Sequence, residues 1–305
     1  MFRMPHGSAS LVAAVLLGAA AAPAQIFTLS KEQLIELTAK NPFERFPDGR
    51  PKIPDAMLER ARGLSAEEVF GALGGGGGRG GFRNQYADGF QILHPSKKLV
   101  GRAFTVQFMP QRQDLEDVAQ AHAKAAGYGR LSNQTAIDML QPGDVLVVDL
   151  FGKNEDGTIV GDNLFYYIMK TTKTGGIVVD GSIRDLEGIS EMDMPLYYRH
   201  AHPSYIANVT LTGINIPIRI GGATVMPGDL VVGDPEGVYF VPPQMVQQML
   251  DGADRTHIHD EWTKLKFSEG KYKSSDIYSS PKDPELKKEY EEYLKKKLDE
   301  LKSKQ

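Results

Sequence analysis

The stretch that most limits what this chain can fold into runs from Gly175 to Asp185, reading Gly-Gly-Ile-Val-Val-Asp-Gly-Ser-Ile-Arg-Asp. A glycine turn followed by a β-branched run without polar alternation leaves no solvent face. It therefore predicts a buried strand. Beyond the run the sequence predicts an exposed polar tip ending in adjacent Arg184 and Asp185. Proteins of the α/β class bind ligands outside the carboxyl ends of such strands, where the sheet fixes the backbone and loops present charge. Arg184 is thus a candidate carboxylate clamp, and Asp185 a candidate hard oxygen ligand for a divalent cation. The alternative reading of the same pair is an ion pair that only stabilises a turn.

The neighbouring segments bear on that choice. Gly161-Asp162-Asn163-Leu164 opens a predicted helix that runs through Phe165, Ile168 and Met169 to Lys173 and ends at Gly175. Backbone amides at a helix start form an anion site, and this one lies just before the strand that carries Arg184 and Asp185. Elsewhere a proline-glycine turn launches Asp144-Val145-Leu146-Val147-Val148-Asp149, and the phrase returns at Pro227-Gly228-Asp229-Leu230-Val231-Val232. Two such units suggest a sheet built from repeated hairpin-like entries. Further helices are expected from the Ser30 cap, from Pro54 to Ala61, from the Ser65 cap with Glu68 at its box position, and over Asp114 to Ala126 with Leu115, Val118 and Ala119 on one face. Asn133 to Leu140 reads as a further short helix. His200 and His202 could point the same way on a strand, but with no third ligand nearby their segment reads as a loop; His257 and His259, read as helical, lack the i, i+4 spacing that puts two ligands on one face, and that second pair reads as solvated surface.

The chain has 305 residues, 41% hydrophobic and 24% charged, with a net charge of -4 and no cysteine. That composition suits one globular domain with extensions, gives no sign of a nucleic-acid surface, and excludes disulfides and thiolate chemistry. The first 24 residues, with Arg3, an apolar stretch from Ala9 and an Ala22-Pro23-Ala24 site, read as a secretory signal peptide or an uncleaved anchor, so an exported protein, periplasmic or secreted, is expected. Residues 25–60 form an N-terminal helical extension and 61–252 the main α/β domain. The glycine run from Gly74 reads as a surface insertion, because it lacks the Lys-Ser/Thr ending of a phosphate loop. Residues 253–305 turn polar, and Leu286, Tyr290, Tyr293, Leu294, Leu298 and Leu301 form one stripe of a terminal helix expected to dock on its own domain or on a neighbouring subunit.

Five segments taken in order, Gly101 to Val106, Pro142 to Asp149, Gly161 to Leu164, Gly176 to Asp185 and Pro227 to Val238, resemble the family of 4-hydroxy-4-methyl-2-oxoglutarate aldolase and regulator of ribonuclease activity A. The resemblance covers roughly residues 60 to 250. It implies an α/β fold of the swivelling β/β/α sandwich type, here with N-terminal helices and a C-terminal helical tail, assembled as a homotrimer or hexamer. It also implies a class II lyase that uses magnesium or manganese to cleave a 4-hydroxy-2-oxo acid to pyruvate and to decarboxylate oxaloacetate. Carried over by position, Arg184 would grip the 2-oxo acid, Asp185 would hold the metal, and Gly161, Asp162, Asn163 and Leu164 would offer backbone amides to the substrate carboxylate. The family usually has Gly-Glu-Leu-Leu where this chain has Gly161-Asp162-Asn163-Leu164, and the Tyr128 to Asp138 segment is an addition. A non-catalytic binding protein on the same fold, with an extracytoplasmic partner, is the competing expectation.

Overall fold

The computed structural model describes residues 28–73, 82 and 84–303. The expected signal peptide and the glycine run lie outside them. Three short helices come first: α1 (Lys31–Leu37), α2 (Asp55–Ala61) and α3 (Ala66–Ala72). The two serine caps close as their spacing predicts. Ser30 Oγ accepts the Gln33 amide at 3.2 Å while Gln33 accepts the Ser30 amide at 2.8 Å, and Ser65 and Glu68 repeat the exchange at 3.1 and 2.7 Å.

The core elements follow in chain order. They are β1 (Tyr86–Ala87), β2 (Gln91–Leu93), β3 (Leu99–Pro110), α4 (Gln113–Ala125), α5 (Asn133–Ile137), β4 (Asp144–Thr158), α6 (Asp162–Thr172), β5 (Gly176–Ile183), α7 (Leu186–Ser190), β6 (Leu196–Ala201), β7 (Val209–Ile214), β8 (Ile218–Ile220), β9 (Ala223–Val225), β10 (Leu230–Asp234) and β11 (Gly237–Val241). Strands β3, β4, β5 and β6 lie side by side and parallel. Antiparallel β10, β11 and β1 extend the sheet beyond β3, β2 extends it beyond β6, and β7 pairs with the distal half of β3.

Both faces of the parallel strands are covered, which is why their sequences do not alternate. Leu146, Val148, Ile177 and Val179 pack with Phe165, Ile168 and Ile189 of the helical layer. Val145, Val147, Val178 and Tyr197 point the other way, onto Ile218, Ile220 and Val225 of the β8–β9 hairpin. A third cluster joins Leu230, Val232 and Val241 to α2, α3 and the start of α8 (Val246–Ser268).

Three expectations change. The two proline-glycine turns are not hairpin-like units; they enter strands on opposite sides of β3, the first parallel to it and the second antiparallel. Arg102 N–H donates to Gly143 O and Ala103 N–H to Asp229 O, each at 2.8 Å, so both turns dock on the same step of β3. Gly143 at φ +81° and Gly228 at φ +85° supply the left-handed backbone this needs. The second change is in α4, whose buried face is Ala119 and Ala123, while Val118 is exposed, because the alanines allow the helix to approach the sheet closely.

The third is the histidine pair of α8, which is helical but not merely solvated. His257 Nδ1 meets Glu68 Oε1 at 2.9 Å and His259 Nε2 meets Tyr278 O at 2.8 Å, so the long helix is tied to α3 and to the tail. The tail consists of α9 (Ser274–Ile277) and α10 (Pro284–Ser303). It docks on its own chain, where Leu286, Tyr290 and Tyr293 pack with Trp262 and Ile277, and Lys297 pairs with Glu261 at 2.7 Å. The architecture is therefore α/β with N-terminal helices and a C-terminal helical tail, as the sequence leads one to expect.

Candidate active site at the end of the fifth strand

Strand β5 is buried along its whole length, Asp180, Gly181 and Ser182 included. The exposed tip predicted from the polar residues is thus shorter than the sequence suggests and consists of Arg184 and Asp185 alone. Asp180 stays inside because Arg199 of β6 donates to it at 2.7 Å while lying over the Phe90 ring at 3.9 Å. Ser182 stays inside because its hydroxyl donates to the carbonyls of Lys153 and Asn154.

Those two carbonyls belong to an excursion of β4. The register of β4 against β5 shifts between Asp149 and Lys153 and again before Thr158, with left-handed backbone at Phe151, Gly152 and Asp156. The chain swings out and returns so that Ile159 N–H donates to Ser182 O at 3.2 Å. This return sets Gly161, and with it the start of α6, beside the tip of β5.

The meeting is close enough to demand glycine. Gly161 has an ordinary φ, but a Cβ there would lie 2.8 Å from Arg184 Nε and closer still to Asp185 Oδ2. Asp185 has φ 58° and ψ 38°, a left-handed conformation that aspartate tolerates better than most residues. That bend turns the chain at once into α7, with Ile189 N–H donating back to Asp185 O at 2.9 Å. The Asp185 carboxylate is left 3.4 Å from Arg184 Nε and 3.4 Å from the Asp162 amide. Both side chains are well exposed, at 36% for Arg184 and 44% for Asp185. At that separation and exposure the pair contributes little to stability, so turn stabilisation alone is a weak account of its presence.

The structure brings together Arg184, Asp185, Gly161 and Asp162. The Asn163 amide turns to the Asp162 carboxylate at 2.7 Å, and Leu164 packs its side chain against the core. Asp162 contributes more than the backbone amide assigned to it by sequence reasoning. Its side chain accepts the adjacent Asn163 amide and lies against Gly188 of α7, so a second carboxylate borders the start of α7. The signal was legible: an aspartate at the first helical position seeks the amide ends of the turn.

The other candidates lie apart or serve other ends. The segment read as a loop is strand β6, because it pairs in parallel with β5, His200 opposite Ser182; His200 is exposed at its end, while the His202 amide donates to Ile183 O at 3.0 Å and its ring meets Ser204 Oγ at 2.9 Å. Among the described residues no three His, Asp or Glu side chains form a metal cage. Lys170 and Lys173 sit at the opposite end of α6, about 1.5 Å further along the axis for each residue.

The chain is similar to known proteins over its α/β part. The RraA-like model, Aldolase/RraA, matches residues 68–240. The chain is 32% identical over 128 residues to a Halalkalibacterium halodurans protein provisionally named 4-hydroxy-4-methyl-2-oxoglutarate aldolase, covering 42% of this chain and 60% of that one. It is 26% identical over 215 residues to protein DlpA of Legionella pneumophila, covering 70% of this chain and 32% of DlpA. The match thus spans less than two thirds of either relative. Among solved structures, Streptomyces coelicolor RraAS2, described as an unusual member of the RNase ES inhibitor RraA protein family, superposes with a TM-score of 0.59 at 29% identity, over 70% of this chain and 100% of that one. An uncharacterized protein of Pseudomonas syringae gives 0.57 at 25% identity, over 72% and 96%. With more than half of its length matched by the family model, and with the fold of its structural neighbours, this chain belongs to the Aldolase/RraA family.

Proposed function

We propose that the protein is a divalent-metal-dependent carbon–carbon lyase that cleaves a 4-hydroxy-2-oxo acid to pyruvate. The observation that carries the reading is the convergence of Arg184, Asp185 and the Gly161–Asp162 helix start at one strand tip. An open guanidinium takes a carboxylate through two parallel N–H donors, so Arg184 is the group that holds the 2-oxo acid.

The donors present suit magnesium or manganese. Asp185 offers an accessible hard carboxylate, and magnesium characteristically uses one or two protein carboxylates, leaving its other positions to water and substrate oxygens. When bound, such a cation supplies Lewis acidity toward the keto and carboxylate oxygens of the substrate. The chain's own contribution is placement. Gly161 allows the helix start to press against the tip, and the left-handed turn at Asp185 sets its carboxylate beside Arg184 Nε and the Asp162 amide. Among the described residues no lysine stands at the strand tip to form a Schiff base; Lys170, at the far end of α6, lies 5.1 Å from the centre of the exposed Tyr166 ring.

The proposal includes a trimer or hexamer, as the family resemblance implies, and light scattering of the purified protein tests it. The activity is tested by following pyruvate release from a panel of 4-hydroxy-2-oxo acids and from oxaloacetate, with and without magnesium. Metal-dependent release that is lost in Asp185→Ala supports the lyase. Absence of release at every metal concentration would leave the non-catalytic binding protein as the reading.

A further inference from the structure

Away from the strand tip, the added Tyr128–Asp138 segment builds something the proposed reaction does not use. Together with the loop after β6 it encloses a cavity of about 700 Å³, within the range of small-molecule sites. We infer that this cleft is a second ligand site, taking a small organic acid with an apolar body and one carboxylate. The inference does not depend on the lyase reading.

Both walls are held in place. On one side Gln120 of α4 grips Leu131 twice, accepting its amide at 2.9 Å and donating to its carbonyl at 3.0 Å, as a neighbouring strand would. Asn133 donates to Ile159 O at 2.7 Å and anchors the start of α5 to the segment that precedes Gly161. On the other side Asp156 secures the loop, its amide donating to Ser204 Oγ at 2.7 Å, its carbonyl accepting the Ala207 amide at 2.9 Å, and its carboxylate accepting from Asn208 at 3.1 Å. Gln111 N–H closes the frame on Asn208 O at 3.0 Å. A cleft framed in this way is largely pre-formed, which lowers the ordering cost of binding.

The chemistry of the lining sets the ligand. Ile206 and Val209, backed by the buried Phe108 and Leu211, supply an apolar patch in a lining that is otherwise mostly polar, and Tyr205 is 68% exposed. Arg130 lines the cleft and is exposed, and no carboxylate among the described residues pairs with it. Glu116, the one acid of the lining, is engaged by Gln120 at 2.7 Å. A guanidinium without a counterion among the described residues, beside an apolar patch, selects an anionic head on a hydrophobic body.

The test is a ligand-detected NMR titration of the full chain with phenylacetate and with 2-phenylacetamide, its neutral isostere. Phenylacetate should bind saturably and at least about tenfold more tightly than the amide at low salt, since charge-assisted hydrogen bonds are about twice as strong as neutral ones. Arg130→Gln, an exposed change whose fold circular dichroism can check, should bring phenylacetate down to the level of the amide. Arg184→Lys should leave the titration unchanged. Absence of saturable binding, equal affinity for the two probes, or undiminished phenylacetate binding by Arg130→Gln would overturn the inference. So would loss of binding in Arg184→Lys, which would assign the ligand to the strand tip instead.

Discussion

Asp144 and Asp229 hold the same place in two copies of one turn, and among the described residues only Asp144 of the two has a counterion. Each accepts the amide of the residue three positions earlier, Gln141 at 2.9 Å and Met226 at 2.8 Å. Asp144 is also clamped by Arg50, whose two terminal nitrogens donate at 2.6 and 3.0 Å. Asp229 Oδ1 is buried with no hydrogen-bond partner. Burial pushes the Asp229 carboxyl up to about 7, opposed only by the Met226 amide. A raised carboxyl favours the protonated folded state, so its contribution is fully present below its ordinary value near 4 and is lost as pH rises through 7. Asp229→Asn keeps the neutral form at every pH. It should stabilise the protein by up to about 4 kcal/mol at pH 8 and make little difference at pH 4. Denaturation midpoints of parent and variant at the two pH values check this, and equal midpoints at pH 8 would refute it.

The opposite experiment belongs to Arg50, which is fully buried over the Phe46 ring at 4.4 Å. Arg50→Met fits the apolar surroundings but leaves the Asp144 charge buried and unpaired, a loss of about 3–5 kcal/mol. Pairing it with Asp144→Asn should restore much of that loss. A double-mutant cycle measured by urea unfolding decides, and additive losses would show that the pair is not coupled.

Gly161→Ala should separate site from fold. The added methyl must displace the side chain of Arg184 or Asp185, both exposed, so the thermal midpoint should fall by only a few degrees. Turnover of any accepted 2-oxo acid should fall by about a hundredfold, the cost of a misplacement of about 1 Å. Unchanged turnover would mean that the close approach at Gly161 has no part in the chemistry.

Arg184 and Asp185 should fail differently. Asp185→Ala removes a hard oxygen ligand, so metal affinity and turnover should fall together and excess magnesium should restore activity only in part. Arg184→Lys keeps the charge but loses the two-pronged geometry, so the Michaelis constant should rise while magnesium affinity is kept. A well-folded Asp185→Ala protein that binds magnesium and turns over like the parent would remove the metal from this tip.

The Ala22-Pro23-Ala24 site leads us to propose cleavage near Gln25 on export. N-terminal sequencing of natively expressed protein should begin there, and a chain still carrying Met1 would refute it.

Much of this was legible in the sequence, because local rules and burial agreed. The unbroken β-branched runs after Gly143 and Gly176 determined strands covered on both faces, since any solvent face would have required polar alternation. Ser30 and Ser65 determined their helix starts through contacts only three residues apart. The adjacency of Arg184 and Asp185 at a strand end was likewise written in the chain. What it could not convey were distances between residues remote in sequence. Whether Asp180 lies inside the sheet depends on Arg199 reaching it from the next strand, and Gly161 is needed because of what stands opposite, not because of its own φ. The contrast between Asp144 and Asp229 is the clearest case. Two identical Pro-Gly-Asp phrases differ because Arg50, 94 residues before Asp144, reaches only one of them, and charge in a buried place is governed by the partners that tertiary packing brings to it.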